Sequence, residues 1–519
     1  MIPPILHQMW RDAAPPARFD AWRASWGRLG PHWERRLWTD ATLEAFVAEH
    51  YPAFLATYRG YPLPIMRADA ARYLLLEHFG GLYADLDSEC LGDFDPLLEE
   101  SRAVLAEEPA AHGQAALAAS RALPRLLSNA VMLSPPGHAF WAEVRRLLAA
   151  NAGARGPLDA TGPFLLSGAW EGFAAKDSLR ILEARSVAPF DNAGRPVAGE
   201  GPVLARHHWA GTWVTPQRPL SPWKRWRRER RARRLLVAAP GMTPAEARAG
   251  IDEGAIAAGL PAGRRVAVLV PVRAAAATLP ALLAALARLQ HPAQDLALAF
   301  LVAGGEDGSL ALLRQWSAQE GQRYRSLRLV EEAPRYLPVT PRWDPAAQRR
   351  RRAGIAAARN RLIAEALGDA DWALWVDADM VALPADLLER LFAAKARIAA
   401  PNCVRKPGGP SFDLNSYIEE APPSLLQLGR YLTDGLYQPP AGLGRVYLSE
   451  LRYRQRVPLS SVGGTTLLVD AALHRGGLRF PEQPYRHLIE TEAFARLAGE
   501  LGAASVGLPN LEVLHAENG

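Results

Sequence analysis

The sequence predicts an α/β protein of two tandem domains, each a doubly wound mixed sheet with helices packed on it. Three observations predict it. The chain has 519 residues, more than one hydrophobic core organises, and its 49% hydrophobic and 22% charged residues are an ordinary globular balance. Apolar strand-like runs alternate with helical stretches rich in Ala and Leu, the pattern of a sheet covered by helices. A short apolar run ending in an Asp-x-Asp triplet occurs once in each half, at Asp85 to Asp87 and at Asp377 to Asp379. The expected division is a domain over 1–214, a basic connector over 215–263 and a second domain over 264–519.

In the first half, IPPILHQMW (residues 2–10) reads as an opening strand, and Asp69 to Phe79 reads as a helix. Gly80-Gly81 ends that helix, because glycine takes the left-handed conformation a helix terminus needs. Leu82 to Leu86 then reads as a short strand that delivers Asp85 and Asp87. In the second half, Arg265 to Arg273 is a continuous apolar run closing on Pro271 and Arg273, read as a buried parallel strand. A helix over 279–289 and a strand over 296–303 follow. An Ala-rich helix with Arg359-Asn360 then precedes the apolar strand into Asp377 and Asp379.

Two carboxylates spaced i, i+2 on extended backbone project from one side. Such a pair can help hold a hard divalent cation, with a diphosphate completing the shell. Asp69 and Arg72, three apart on a helix, share a face and could reach a sugar hydroxyl and a phosphate. Arg359 falls where a diphosphate would lie, and guanidinium suits that geometry. A bare Asp-x-Asp triplet is weak evidence, since about one is expected by chance in a chain this long. Its surroundings give it meaning.

The ordered set Asp69, Arg72-Tyr73, Gly80-Gly81, Tyr83, Asp85 and Asp87 resembles glycosyltransferase family 32, which includes fungal initiating mannosyltransferases and bacterial capsular enzymes. The opening IPPILHQMW and the closing Ala205 to Trp213 segment are similar to that family's ends. The resemblance covers about residues 1 to 214. It implies a GT-A-like domain in which Asp69 and Arg72 contact the donor sugar and Tyr83 the nucleotide side. Asp85 and Asp87 then meet the metal and diphosphate, and His207 closes the metal site, with His208 as the alternative. Asn129, on a strand entering the site, and Trp213 are counted with the donor. The histidine pair beside tryptophan could instead pack at a domain edge.

The second half resembles glycosyltransferase family 62, the fungal mannan-polymerase α-mannosyltransferases. The resemblance rests on Asp377-Ala378-Asp379, Ala400 to Cys403, Phe412 to Ser416, Val462 to Thr466, His487 to Phe494, Gly507 to Asn510 and His515, in that order. It implies a second GT-A-like domain using GDP-mannose and manganese (or magnesium) with retention of configuration. Asp379 and His515 are the implied metal ligands, and Asp377 faces ribose or a metal-bound water. Arg359 is the implied donor contact; Pro271, Arg273, Asn360, Asp413 and Asn415 are placed on the donor side with it. Glu490 and Glu492 could contact a sugar, or form an acidic pair favoured at a helix N-terminus.

Together these imply a bifunctional, metal-dependent, retaining glycosyltransferase that acts on glycan or lipid-linked acceptors in polysaccharide or glycoconjugate synthesis. A single catalytic domain with a glycan-binding companion is the alternative. The net charge of +6 gathers in the run from Trp223 to Arg234, so general nucleic-acid binding is not expected. That run is either a solvated basic helix or a peripheral contact with an anionic membrane. Two distant cysteines suggest no disulfide framework. No signal-peptide layout or spanning apolar run is visible, so a cytoplasmic or membrane-peripheral location is expected. The Arg- and Ala-rich, Lys-poor composition points to a bacterial source.

Overall fold

A computed structural model describes residues 1–110, 114–211, 219–239, 241–257, 259–304, 307–333 and 345–517. The chain forms two compact units: Met1–Gln217 with Glu450–Arg454, and Arg218–Ser449 with Gln455–Gly519. The sequence-expected connector over 215–263 thus falls mostly within the second unit.

The first unit has strands β1 (Ile5–Met9), β2 (Glu34–Trp38), β3 (Gly81–Ala84), β4 (Ser88–Cys90), β5 (Ala103–Glu107), β6 (Leu127–Ser134), β7 (Leu179–Leu182) and β8 (Ala205–His207). Six of them form a sheet in the order β2-β1-β3-β6-β5-β7, and β4 pairs with β8. Strands β1, β2 and β3 run parallel, while β6 is antiparallel to both β3 and β5. Leu6, Trp26, Leu82, Ala84, Val104, Val131 and Leu133 form the core on this sheet. The helix Pro64–His78 opens on a proline, whose missing N–H costs nothing in a first turn. It stops at Gly80 (φ +66°) and Gly81 (φ +89°). A Cβ there would stand 2.6 Å from the Ser134 carbonyl oxygen and 2.5 Å from that of Ile5, respectively, so the reversal into β3 requires glycine at both positions.

In the second unit the strands are β9 (Val266–Val272), β10 (Leu296–Ala303), β11 (Ser326–Glu332), β12 (Trp372–Val376), β13 (Met380–Ala382), β14 (Ile398–Val404), β15 (Tyr417–Glu419), β16 (Leu432–Thr433), β17 (Leu436–Tyr437), β18 (Arg445–Tyr447), β19 (Val457–Leu459), β20 (Thr466–Asp470) and β21 (Ser505–His515). Among the described residues the main sheet has nine strands, ordered β11-β10-β9-β12-β20-β14-β21-β13, with β19 added on β21. The β11-β10-β9-β12 half is parallel, and β20 is inserted antiparallel between β12 and β14. Val268, Val270, Leu282, Leu286, Leu374 and Leu468 are fully or almost fully buried in its core. The continuous apolar runs read from the sequence are these central strands, covered on both faces.

The basic run is a helix, Pro222–Ala238, in the second unit. It crosses the helix Leu425–Tyr431 at Gly429, where a side chain would overlap the Arg228 backbone. Cys90 and Cys403 are buried free thiols. Among the described residues no helix is long and apolar enough to cross a membrane.

Candidate active sites

The Asp85 to Asp87 and Asp377 to Asp379 triplets each sit on a turn, which corrects the expectation that alternation along a strand aligns their carboxylates. Strand β3 stops at Ala84: the Asp85 amide makes the last ladder bond, to the Ala130 carbonyl (2.9 Å), and the Ser88 amide then closes a turn on the Asp85 carbonyl (2.9 Å). Strand β12 stops at Val376 in the same way. The Asp377 amide donates to Thr465 (2.9 Å), and Met380 donates to the Asp377 carbonyl (3.2 Å). Each turn is followed by a short strand that pairs antiparallel with a late strand. The residue just after the triplet faces a histidine: Ser88 opposite His207, and Met380 opposite His515. The residue after each histidine donates its amide to the second aspartate's carbonyl, His208 to Asp87 (2.9 Å) and Ala516 to Asp379 (3.0 Å). The two units therefore build one local architecture twice.

In the first unit the helix Pro64–His78 supplies Asp69 and Arg72, both buried. Arg72 bridges Asp69 (2.9 Å) and Asp85 (3.1 Å), donates to the Asn129 carbonyl (2.7 Å) and stacks over the Tyr83 ring. Tyr83 donates its hydroxyl to Asp85 at 2.5 Å. Asn129 donates its amide to Asp69 and to the Tyr73 hydroxyl, so it positions Asp69. Burial raises the Asp69 carboxyl to about 6, against the pull of Arg72.

The carboxylates of Asp85 and Asp87 and the His207 imidazole offer ligand atoms that all lie within 4.8 Å of one another. Among the described residues this is the one such cluster of three. Two carboxylates and an imidazole are a fitting donor set for manganese or magnesium. Burial works to raise Asp87, but His207 (3.4 Å) and the Ala210 amide (2.7 Å) prevail and hold its carboxyl below the usual range. His207 is penalised by burial yet raised overall by Asp87 and Asp85. Of the two histidines, His207 is the one whose ring lies with Asp85 and Asp87. His208 instead pairs with Glu89 (3.1 Å) and stacks on Trp22. Trp213 lies outside the described residues.

In the second unit a cavity of about 360 Å³ opens where β9 and β12 end. Pro271, Arg273, Arg359, Asp377, Asp379, Asp413, Asn415 and Glu490 all line it. Arg359, on the helix Pro345–Ala366, donates to Asp377 (3.0 Å) and to the Gly464 carbonyl (3.3 Å). A side chain at Gly464 would overlap that guanidinium, which explains a glycine there. Burial raises Asp377 to about 6, Arg359 opposing and Asp379 and Asp413 adding to it. His515 lies 3.1 Å from Asp379, and its ring packs on Phe412. These two side chains suit a divalent cation as a pair, with Asp377 beside them. Asp413 accepts from the Thr465 hydroxyl (2.9 Å) and the Asn415 amide (3.1 Å).

Asn360, expected at the donor, stands elsewhere, and Glu492 takes the helix N-terminal place that was the other reading of the acidic pair. The Asn360 side chain makes a reciprocal pair with the Phe480 backbone, 2.9 Å each way, and is absent from the cavity lining. The next residue on a helix is turned by about 100°, so Asn360 cannot follow Arg359 into the site. Glu490 and Glu492 open the helix Glu490–Glu500, where the spacing separates them. Glu490 enters the cavity, within 3.3 Å of Arg352. Glu492 binds Arg445 (3.1 Å) and accepts the Ile489 amide in a cap. Reading the sequence missed Thr161, which donates to Asp69 (3.1 Å), and Arg352, Thr465 and Thr491 in the second cavity. A signal for Arg352 exists: it is seven residues, two helical turns, before Arg359.

Comparison with known proteins bears on both units. Residues 16–104 match the family described as glycosyltransferase sugar-binding region containing DXD motif, and residues 256–484 match Anp1. The mannan polymerase complex subunit mnn9 of Schizosaccharomyces pombe is 29% identical over 250 residues, covering 44% of this chain and 74% of that one. The mannosyl phosphorylinositol ceramide synthase CSH1 of Saccharomyces cerevisiae is 31% identical, covering 37% of this chain and 50% of that one. Inositol phosphoceramide mannosyltransferase 3 of Schizosaccharomyces pombe is 37% identical, over 28% of this chain and 37% of that one. This chain therefore spans half or less of the last two relatives. Among solved structures, a Pyrobaculum calidifontis mannosyltransferase in complex with GDP-Man and Mn2+ aligns at 17% identity and TM-score 0.31, covering 56% of this chain and 70% of that one. The curated relatives matched here are fungal, which overturns the bacterial source expected from composition. With a family match in each half and the Asp-x-Asp turn built in each unit, the chain is a glycosyltransferase related to mannosyltransferases.

Proposed function

We propose that both units are donor sites of one bifunctional, metal-dependent, retaining glycosyltransferase. The second unit transfers mannose from GDP-mannose, and the first transfers a hexose from a nucleotide sugar, to a glycan or lipid-linked acceptor. One observation supports this above all: the strand, Asp-x-Asp turn, paired strand and histidine recur in both units, each with an arginine from the preceding helix on the first aspartate.

Asp85, Asp87 and His207 in one unit, and Asp379 and His515 in the other, would hold a divalent cation. When bound, it supplies positive charge beside the departing diphosphate, the main electrostatic need of glycosyl transfer. Arg72 and Arg359 fix the first aspartate of each turn and keep its carboxylate aimed. Arg273, Arg351, Arg352 and Arg359 give the second cavity the charge a nucleoside diphosphate requires. Glu490 and Thr491 suit the sugar. Glu490 Oε2 and Thr491 Oγ1 are buried polar atoms without a hydrogen-bond partner among the described residues, and both residues line the cavity. The relatives' names, mannan polymerase and inositol phosphoceramide mannosyltransferase, support a glycan or a lipid-linked acceptor.

Nucleotide release from a panel of sugar nucleotides with manganese tests the proposal. Three proteins are compared: the intact chain, Asp85→Ala with Asp87→Ala, and Asp377→Ala with Asp379→Ala. Each double substitution should abolish turnover of a different donor, or part of the turnover of a shared one. If one of them behaves like the intact chain with every donor, that unit is a companion module and the bifunctional reading fails.

A further inference from the structure

The helix Pro222–Ala238 plays no part in either donor site. Ala232 is buried on its inner side, and Leu235 and Leu236 are half-buried beside it. At about 100° per residue, the side opposite Ala232 presents Trp223, Trp226, Arg227, Arg230, Arg234 and Val237. Trp223 is 59% exposed, Trp226 53% and Val237 82%, which is unusual for side chains of this kind within one helix. Arg227 lies over the Trp223 ring at 4.7 Å and Arg230 over the Trp226 ring at 5.2 Å. The indoles and guanidinium groups are thus interleaved on one straight face about 21 Å long. The acidic residue of the helix, Glu229, is turned inward and paired with Arg225 at 3.0 Å. Among the described residues no carboxylate pairs with Arg227, Arg230 or Arg234 on the outer face.

We infer that this face docks the enzyme onto the surface of an anionic phospholipid bilayer. Charge complementarity selects that occupant. Eight Lys and Arg residues against one Glu give the helix seven positive charges, one more than the net +6 of the whole chain. The helix therefore carries as much positive charge as the whole chain has in excess. A polynucleotide needs a basic track over several elements, whereas a lipid plane can meet a single ridge along its length. The tryptophans point the same way, since indole rings settle at the headgroup level while neighbouring arginines hold lipid phosphates. The helix is too polar to enter the bilayer, so it lies on the surface. This inference stands apart from the donor chemistry and does not need either site to be active.

Flotation of the full chain with vesicles tests it, comparing phosphatidylcholine alone with phosphatidylcholine containing about 30% phosphatidylserine. The intact chain should float with the anionic vesicles and not the neutral ones, and raised salt should release it. Trp223→Ala with Trp226→Ala, and separately Arg227→Gln with Arg230→Gln and Arg234→Gln, should each weaken binding about tenfold or more. Nucleotide release and thermal midpoint should stay those of the intact chain, because every substituted side chain is on the exposed face. Absence of flotation with anionic vesicles, or flotation equal in the intact chain and both variants, overturns the inference. So does tighter binding of a single-stranded oligonucleotide than of anionic vesicles at matched salt, if the same variants abolish it.

Discussion

His7 in the first unit and His474 in the second are buried imidazoles whose tautomers are fixed by their partners. The Trp38 indole donates to His7 Nδ1 (3.1 Å), and His7 Nε2–H donates to the Gly80 carbonyl (3.0 Å). In the second unit the Trp375 indole donates to His474 Nε2 (3.3 Å), and His474 Nδ1–H donates to Leu478 (3.0 Å). Each ring is neutral with one donor and one acceptor used, and burial lowers each from 6.5 to about 4. Between those values the unfolded chain binds a proton that the folded chain does not. Stability is then full above pH 6.5 and falls as the pH drops toward 4, by about 3 kcal/mol for each histidine. Urea unfolding between pH 7 and 4.5 should show loss in both units, and a midpoint that stays flat would refute the neutral tautomer in that unit. Side-chain identity was legible at this scale, but side-chain direction was not. Arg359 and Asn360 are adjacent in sequence, yet one meets Asp377 and the other the Phe480 backbone. The second contact depends on chain arriving 120 residues later, which local spacing does not encode.

At the scale of elements, the apolar runs ending in Asp-x-Asp and the Gly80-Gly81 reversal were readable, because burial and left-handed backbone leave a mark on composition. That each triplet sits on a turn was not readable. The strands end where they do because Ser88 and Met380 fold back onto the first aspartate's carbonyl, a reversal held by the pairing of each following short strand with a late one. His207 came from family resemblance, and its place opposite Ser88 follows only from the pairing of β4 with β8. The crossing of the helices Pro222–Ala238 and Leu425–Tyr431 was likewise invisible in the basic run. Its closeness depends on Gly429, whose missing side chain lets the Arg228 backbone approach. Gly429→Ala should therefore destabilise the second unit by about 1 to 3 kcal/mol, through steric overlap with a backbone that cannot swing away. A calorimetric scan would show it as a lowered midpoint for that unit. An unchanged midpoint would mean that the helices are not in contact there.

Across the whole molecule, two donor clusters within two separate cores predict two metal-binding events that do not share ligands. Titration calorimetry with manganese should give about two ions per chain, and about one in Asp85→Ala with Asp87→Ala or in Asp379→Ala. Sites without shared partners behave additively, so losing one should leave the other's affinity nearly unchanged. The affinities should differ. The first unit gathers two carboxylates and an imidazole, while in the second Asp377 is engaged by Arg359 and leaves Asp379 and His515 as the main donors. Fewer protein ligands mean weaker binding of the bare ion there, and a nucleoside diphosphate, bringing its own oxygens, should tighten it more than in the first unit. Loss of both events in either variant would mean that one cluster binds metal only through the other. A single ion in the intact chain, with GDP present, would leave one unit without the metal chemistry that its turn and histidine were built to support.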